Sequence, residues 1–155
     1  MRLALLQPDI AGNVGTLLRT AACLGVPVDL IEPMGFPFGD RAMARAAMDY
    51  AARAEVKRHA DWPAFAGQAK GRLVLLTTAG ATPLWDAAFR HDDVLLVGSE
   101  GAGVPASVHA AAALRVAIPT QAGCRSLNVA VAAAMALGEA LRQTRHMPPS
   151  AAAAR

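Results

Sequence analysis

Two polar segments of this 155-residue chain carry the residue types from which chemistry can be built. One is the glycine-rich stretch Gly98-Ser-Glu-Gly-Ala-Gly-Val-Pro105. The other is Ile118-Pro-Thr-Gln-Ala-Gly-Cys-Arg-Ser-Leu-Asn128, which leads into a long alanine-rich run. Each follows an apolar run that reads as a buried strand, 94–97 and 115–118, and open α/β sheets take their ligands at such strand ends. Together the two loops define a pocket in which glycine backbone approaches a ligand closely and a few polar side chains orient it. The pocket is not a common phosphate loop. Gly98, Gly101 and Gly103 run in the reverse of the dinucleotide fingerprint, and no Gly-Lys-Ser/Thr follows.

The elements that must position these loops follow from periodicity and punctuation. Strands are expected at 2–6, 28–31, 55–58, 73–77, 94–97 and 115–118. Helices are expected at 13–24, ended by Gly25, at 41–52, after Asp61 with Pro63 in the first turn, at 83–89, at 105–113, and from a Ser126 cap to about 143. Strands alternating with helices predict an α/β domain with a mostly parallel sheet covered on both faces. One domain over residues 1–145 is expected, with the Pro/Ala-rich segment 146–155 as a disordered tail.

Composition narrows the function classes. Hydrophobic residues make up 54% and charged residues only 17%, which predicts a buried oligomer interface, a homodimer first of all. The formal charge is +3, and all of the 15 basic residues except Lys57 and Lys70 are arginine, the side chain suited to bidentate phosphate contacts. That permits an RNA partner, while genome composition explains the same bias. Cys23 and Cys124 have no metal-ligand or C-x-x-C spacing and no signal peptide is read before the first strand, so a reducing cytoplasm is expected. The longest apolar stretch, 129–137, is short of the roughly 18 residues that a membrane span needs. His59, His91, His109 and His146 share no metal spacing and receive no role.

Three segments in order, Asn13-Val-Gly15 with Arg19, Gly98 to Pro105, and Ile118-Pro119 with Arg125-Ser-Leu-Asn128, resemble the three motifs of the SpoU branch of the SPOUT RNA 2′-O-methyltransferases. Ile31-Glu-Pro-Met-Gly-Phe36 and Met48-Asp-Tyr50 narrow the resemblance to the small tRNA enzymes of that branch, those that methylate the wobble nucleotide of leucine tRNAs at cytidine or modified uridine. The resemblance runs from the first strand to about Arg142. It implies a C-terminal deep trefoil knot, S-adenosylmethionine bent within it, tRNA as substrate, no metal, and a homodimer whose active site is shared between subunits.

By the same resemblance, the cofactor contacts come from Leu76, Thr77, Gly98, Glu100, Ile118, Ser126 and Leu127. Packing accounts for the Leu76 and Ile118 side chains, whose backbone would make the contacts, and a plain helix cap accounts for Ser126. Arg19 is the catalytic candidate, facing the partner's cofactor. An ordinary surface role near a helix C-terminus is the alternative. Because guanidinium is a poor proton acceptor, its expected work is to hold a phosphate and stabilise charge on the 2′-oxygen. Asn13 and Asn128 complete the catalytic set, each readable instead as a helix-terminus residue. Arg41, Arg45 and Arg125 are the RNA-binding candidates, although Arg45 could pair with Asp49. Phe36 and Phe38 could stack on a base or anchor their loop. Ala102 departs from relatives with arginine there, losing whatever phosphate contact that arginine makes. Cys124, with no base near it in sequence, is a spectator thiol.

Three alternatives stand beside this reading. The first is a SPOUT-fold methyltransferase acting on another tRNA or rRNA ribose. The second is a dinucleotide-dependent oxidoreductase, encouraged by Glu32 at the end of the second strand and weakened by the missing glycine fingerprint. The third is a non-catalytic RNA-binding protein.

Overall fold

In the computed structural model, residues 1–39, 41–79 and 82–145 are described. The expected tail, 146–155, lies outside them. The strands are β1 (Arg2–Leu6), β2 (Val28–Ile31), β3 (Val56–His59), β4 (Leu73–Leu76), β5 (Thr82–Pro83), β6 (Val94–Val97) and β7 (Leu114–Ala117). The helices are α1 (Ala11–Leu24), α2 (Arg41–Ala47), α3 (Trp62–Ala66), α4 (Ala106–Ala111) and α5 (Val129–Thr144). All seven strands pair in parallel, in the order β3-β2-β1-β6-β4-β7-β5. The expectation of a mostly parallel sheet is thus exceeded.

The central strands are apolar on both faces because helices cover both. On one face Leu3, Leu5, Leu30, Val74, Leu95 and Val116 pack with α1, α2 and α5. On the other, Ala4, Leu6, Ile31, Leu75 and Leu96 meet Phe65 of α3 and Val108 of α4. Gly15 lets α1 and α2 touch: a Cβ there would lie 2.2 Å from the Met43 carbonyl oxygen. Two ion pairs pin strand starts. Fully buried Asp93 accepts two 2.8 Å bonds from the Arg72 guanidinium, tying the entries of β4 and β6. Asp29 on β2 accepts from Arg2 on β1 at 2.7 Å and lies 2.8 Å from the His59 ring on β3.

The topology concentrates function at one edge. β6 lies between β1 and β4, but β7 lies beyond β4, and the chain then returns across the C-terminal strand ends so that α5 packs on α1 and β6. That return is the 118–128 loop, which therefore crosses the glycine turn that follows β6.

Several expectations are corrected. The helix expected over 41–52 breaks at Met48, whose φ of 53° is left-handed, and continues as a 3-10 turn, Met48–Ala52. The helix expected over 83–89 is only the 3-10 turn Leu84–Asp86, because Thr82 and Pro83 are taken up as an edge strand against β7. β5, and not β7, is therefore the strand at that edge of the sheet. The last helix is capped by Asn128 and not by Ser126: the Asn128 carboxamide oxygen accepts from the amides of Ala130 and Val131, while Ser126 stays in the exposed loop.

Candidate functional site

The C-terminal ends of β4, β6 and β7 open into a cleft of about 680 Å³. It is walled by the segment after β4, the glycine turn after β6 and the loop before α5. All seven residues expected to hold a cofactor, Leu76, Thr77, Gly98, Glu100, Ile118, Ser126 and Leu127, line it, as do Asn13 and Asn128. Apolar side chains form part of the wall and the glycine turn forms another, a combination suited to a flat, weakly polar ring beside a polar tail.

The turn is shaped by its backbone. Ser99 and Gly103 exchange two main-chain hydrogen bonds of 3.1 and 2.9 Å, closing a five-residue loop. Gly98 has no room for a side chain, since a Cβ would lie 2.5 Å from both the Gly103 carbonyl oxygen and Val104. Gly103 takes a left-handed φ of 68°, which favours glycine.

A chain of hydrogen bonds runs along the cleft from this turn. The Glu100 carboxylate accepts from the Asp9 amide and from the Asn13 side-chain nitrogen, each at 2.8 Å. Asn13 then accepts from the Asn128 nitrogen at 3.0 Å, and Asn128 caps α5. Three loops remote in sequence are thereby locked together. Asn13 is not the cap of α1, which begins earlier at Ala11 behind Ile10; its side chain serves the network instead.

Asp9 was not singled out in the sequence. Its carboxylate accepts from the Ser99 hydroxyl at 2.5 Å and the Gly101 amide at 3.2 Å. Those two bonds, the hydroxyl first, hold the exposed carboxyl below the usual aspartate range. The available signal was an acid placed directly between the first strand and the first helix. His109 on α4 also lines the cleft, although no role was given to it.

The remaining candidates lie elsewhere. Exposed Arg19 does not line the cleft: its guanidinium donates to the Met48 sulfur at 3.0 Å and sits 5.5 Å from the Tyr50 ring centre. Arg41 and Arg45 are exposed on α2, and Asp49 faces Arg53 at 3.9 Å, not Arg45. Arg125 is exposed in the loop beside Ser126. Phe36 packs against the core, and Phe38 lies under the Arg58 guanidinium at 5.0 Å. Glu32 is bound to Arg58 and lies away from the cleft, which removes the ribose-binding acid of the oxidoreductase alternative. Both cysteines are exposed. Among the described residues no helix is long and apolar enough to cross a membrane, and no group of three or more His, Cys, Asp or Glu is placed to hold a metal ion.

A fully parallel α/β sheet with a glycine-lined cleft at its C-terminal strand ends is the scaffold that this geometry defines. Residues 1–138 match the SpoU rRNA Methylase family, and the chain belongs to that family, with its trefoil-knot fold. It is 55% identical over 147 residues to the tRNA (cytidine(34)-2'-O)-methyltransferase of Ancylobacter novellus, covering 93% of both chains. A solved structure concerned with the 2-OH methylation of C/U34 on tRNA superimposes with a TM-score of 0.87 at 38% identity, over 92% of this chain and 94% of that one. The AdoMet-bound rRNA methyltransferase of Sinorhizobium meliloti gives 0.83 at 29% identity, over 91% of this chain and 55% of the other.

Proposed function

We propose that this chain transfers a methyl group from S-adenosylmethionine to the ribose 2′-hydroxyl of nucleotide 34, cytidine or modified uridine, in leucine tRNAs. The observation that carries the reading is the cleft itself, in which the glycine turn, Glu100, Asn13 and Asn128 form one hydrogen-bonded unit, in a chain 55% identical over nearly its whole length to a C34 enzyme. The residues fit the donor. Leu76, Ile118 and Leu127 offer apolar walls for adenine, and Gly98 lets the turn close where any Cβ would strike the Gly103 carbonyl and Val104. The donor supplies an electrophilic methyl whose departure leaves a neutral thioether. The protein's part is to hold the acceptor sugar in line and to stabilise charge gathering on its oxygen.

Arg19 supports a shared site. It lies outside the cleft of its own chain, so it meets a donor only if a second copy presents it. Ile10, Leu127 and Val131, each 39–50% exposed, form an apolar rim at the start of α1 and α5 that a homodimer would cover. In this reading Asn13 and Asn128 orient the ribose, Arg41, Arg45 and Arg125 contact phosphates, residues 1–145 act as one domain, and the reaction takes place in the cytoplasm without a metal. Mass spectrometry of tRNA from cells lacking the protein tests it: loss of one 2′-O-methyl nucleotide at position 34 is expected. A methyl lost from another tRNA or from rRNA would replace the substrate.

A further inference from the structure

A turn with glycines at 98, 101 and 103 carries more conformational freedom than other sequence, and ordering it on ligand uptake would weaken binding. Here it is ordered in advance, and from outside itself. Asp9 reaches three successive residues of the turn: its side-chain oxygen accepts from the Ser99 hydroxyl and the Gly101 amide, and its own amide donates to Glu100. The Ser99 hydroxyl oxygen in turn accepts from the Ala102 amide at 3.2 Å. Residue 9 is held from behind. The Gly35 amide donates to the Pro8 carbonyl at 3.0 Å, and a Cβ on Gly35 would meet the Asp9 Cα and carbonyl oxygen at 3.0 Å.

We propose that Asp9 is a positioning residue: it fixes the glycine turn and the Glu100 carboxylate in the conformation that takes up the methyl donor. The inference rests on the cleft being the donor site. Asp9 does not line the cleft and acts only through Ser99, Glu100 and Gly101. It is also exposed, and removing an exposed side chain from such a place leaves the core intact.

Calorimetric titration of S-adenosylhomocysteine into the full chain and its variants tests this. Asp9→Ala is expected to weaken binding about tenfold, the scale of one lost charge-assisted contact. Asp9→Asn keeps an acceptor oxygen where both bonds converge, so it should restore most of the affinity. Ser99→Ala should weaken binding less than Asp9→Ala, because Asp9 also holds the Gly101 amide, and the double variant should weaken it by less than the product of the two single losses, because the two residues share one contact. In steady state the donor KM rises and the tRNA KM does not, with an unchanged melting temperature for the ligand-free protein. Equal affinity of Asp9→Ala and wild type overturns the proposal, as does weakening that multiplies in the double variant. A wild-type protein that takes up no S-adenosylhomocysteine overturns the donor-site reading as well.

Discussion

Asn13 and Asn128 stand 115 positions apart in the chain and share a 3.0 Å hydrogen bond at the mouth of the cleft. One belongs to the first turn of α1 and the other caps α5, so the start and the end of the fold meet where the substrate must enter. Asn128→Ala removes both the cap and the bridge. It should cost about 1 kcal/mol in stability, as lost caps do, and lower kcat more than that loss of folded protein explains. Denaturant melts read beside turnover separate the two effects.

Arg19→Ala should leave donor affinity unchanged and slow methylation by about 100- to 1000-fold, the usual loss for one electrostatic contact to the developing charge. Mixing it with a cleft-defective Gly98→Ala chain should restore part of the activity through heterodimers. Titration calorimetry and single-turnover rates check both statements.

Gly98→Ala should itself abolish donor uptake, since the added methyl would lie 2.5 Å from the Gly103 carbonyl oxygen and the Val104 side chain. A melting temperature that no longer rises with S-adenosylhomocysteine is the expected readout.

Arg72→Met should destabilise the fold by about 3–5 kcal/mol, because it leaves the buried Asp93 carboxylate with the Arg90 amide but without its charged partner. Chemical denaturation measures this directly.

Asp29 sets an acid limit. Burial alone would push its carboxyl up, but the hydrogen bonds from Arg2 and His59 outweigh burial and hold it below the usual range. An unfolded aspartate titrates near ~3.9, so the stabilisation is complete above about pH 5 and fades as pH falls through the lower folded value. The difference in melting temperature between wild type and Asp29→Asn should therefore shrink below pH 4.

The sheet was legible because its strands are short unbroken apolar runs, and β1, β2 and β6 fall where periodicity places them. The cleft was legible too, since two glycine-bearing loops after such runs leave few alternatives. Met48 was not: its left-handed backbone puts its sulfur on Arg19, a tertiary contact that no helical period announces. Nor was the cap of α5, for Ser126 and Asn128 are both good capping residues and only the crossing loop decides between them. Asp9 stayed hidden because its partners lie some 90 positions away.

The most direct measurement incubates the protein with methyl-labelled S-adenosylmethionine and unmodified leucine tRNA carrying cytidine 34, then digests and sequences the product by mass. Label on the 2′-oxygen of nucleotide 34, lost in Arg19→Ala, is the predicted result. Label on a base, or on no nucleotide while a known C34 enzyme modifies the same tRNA, would contradict it.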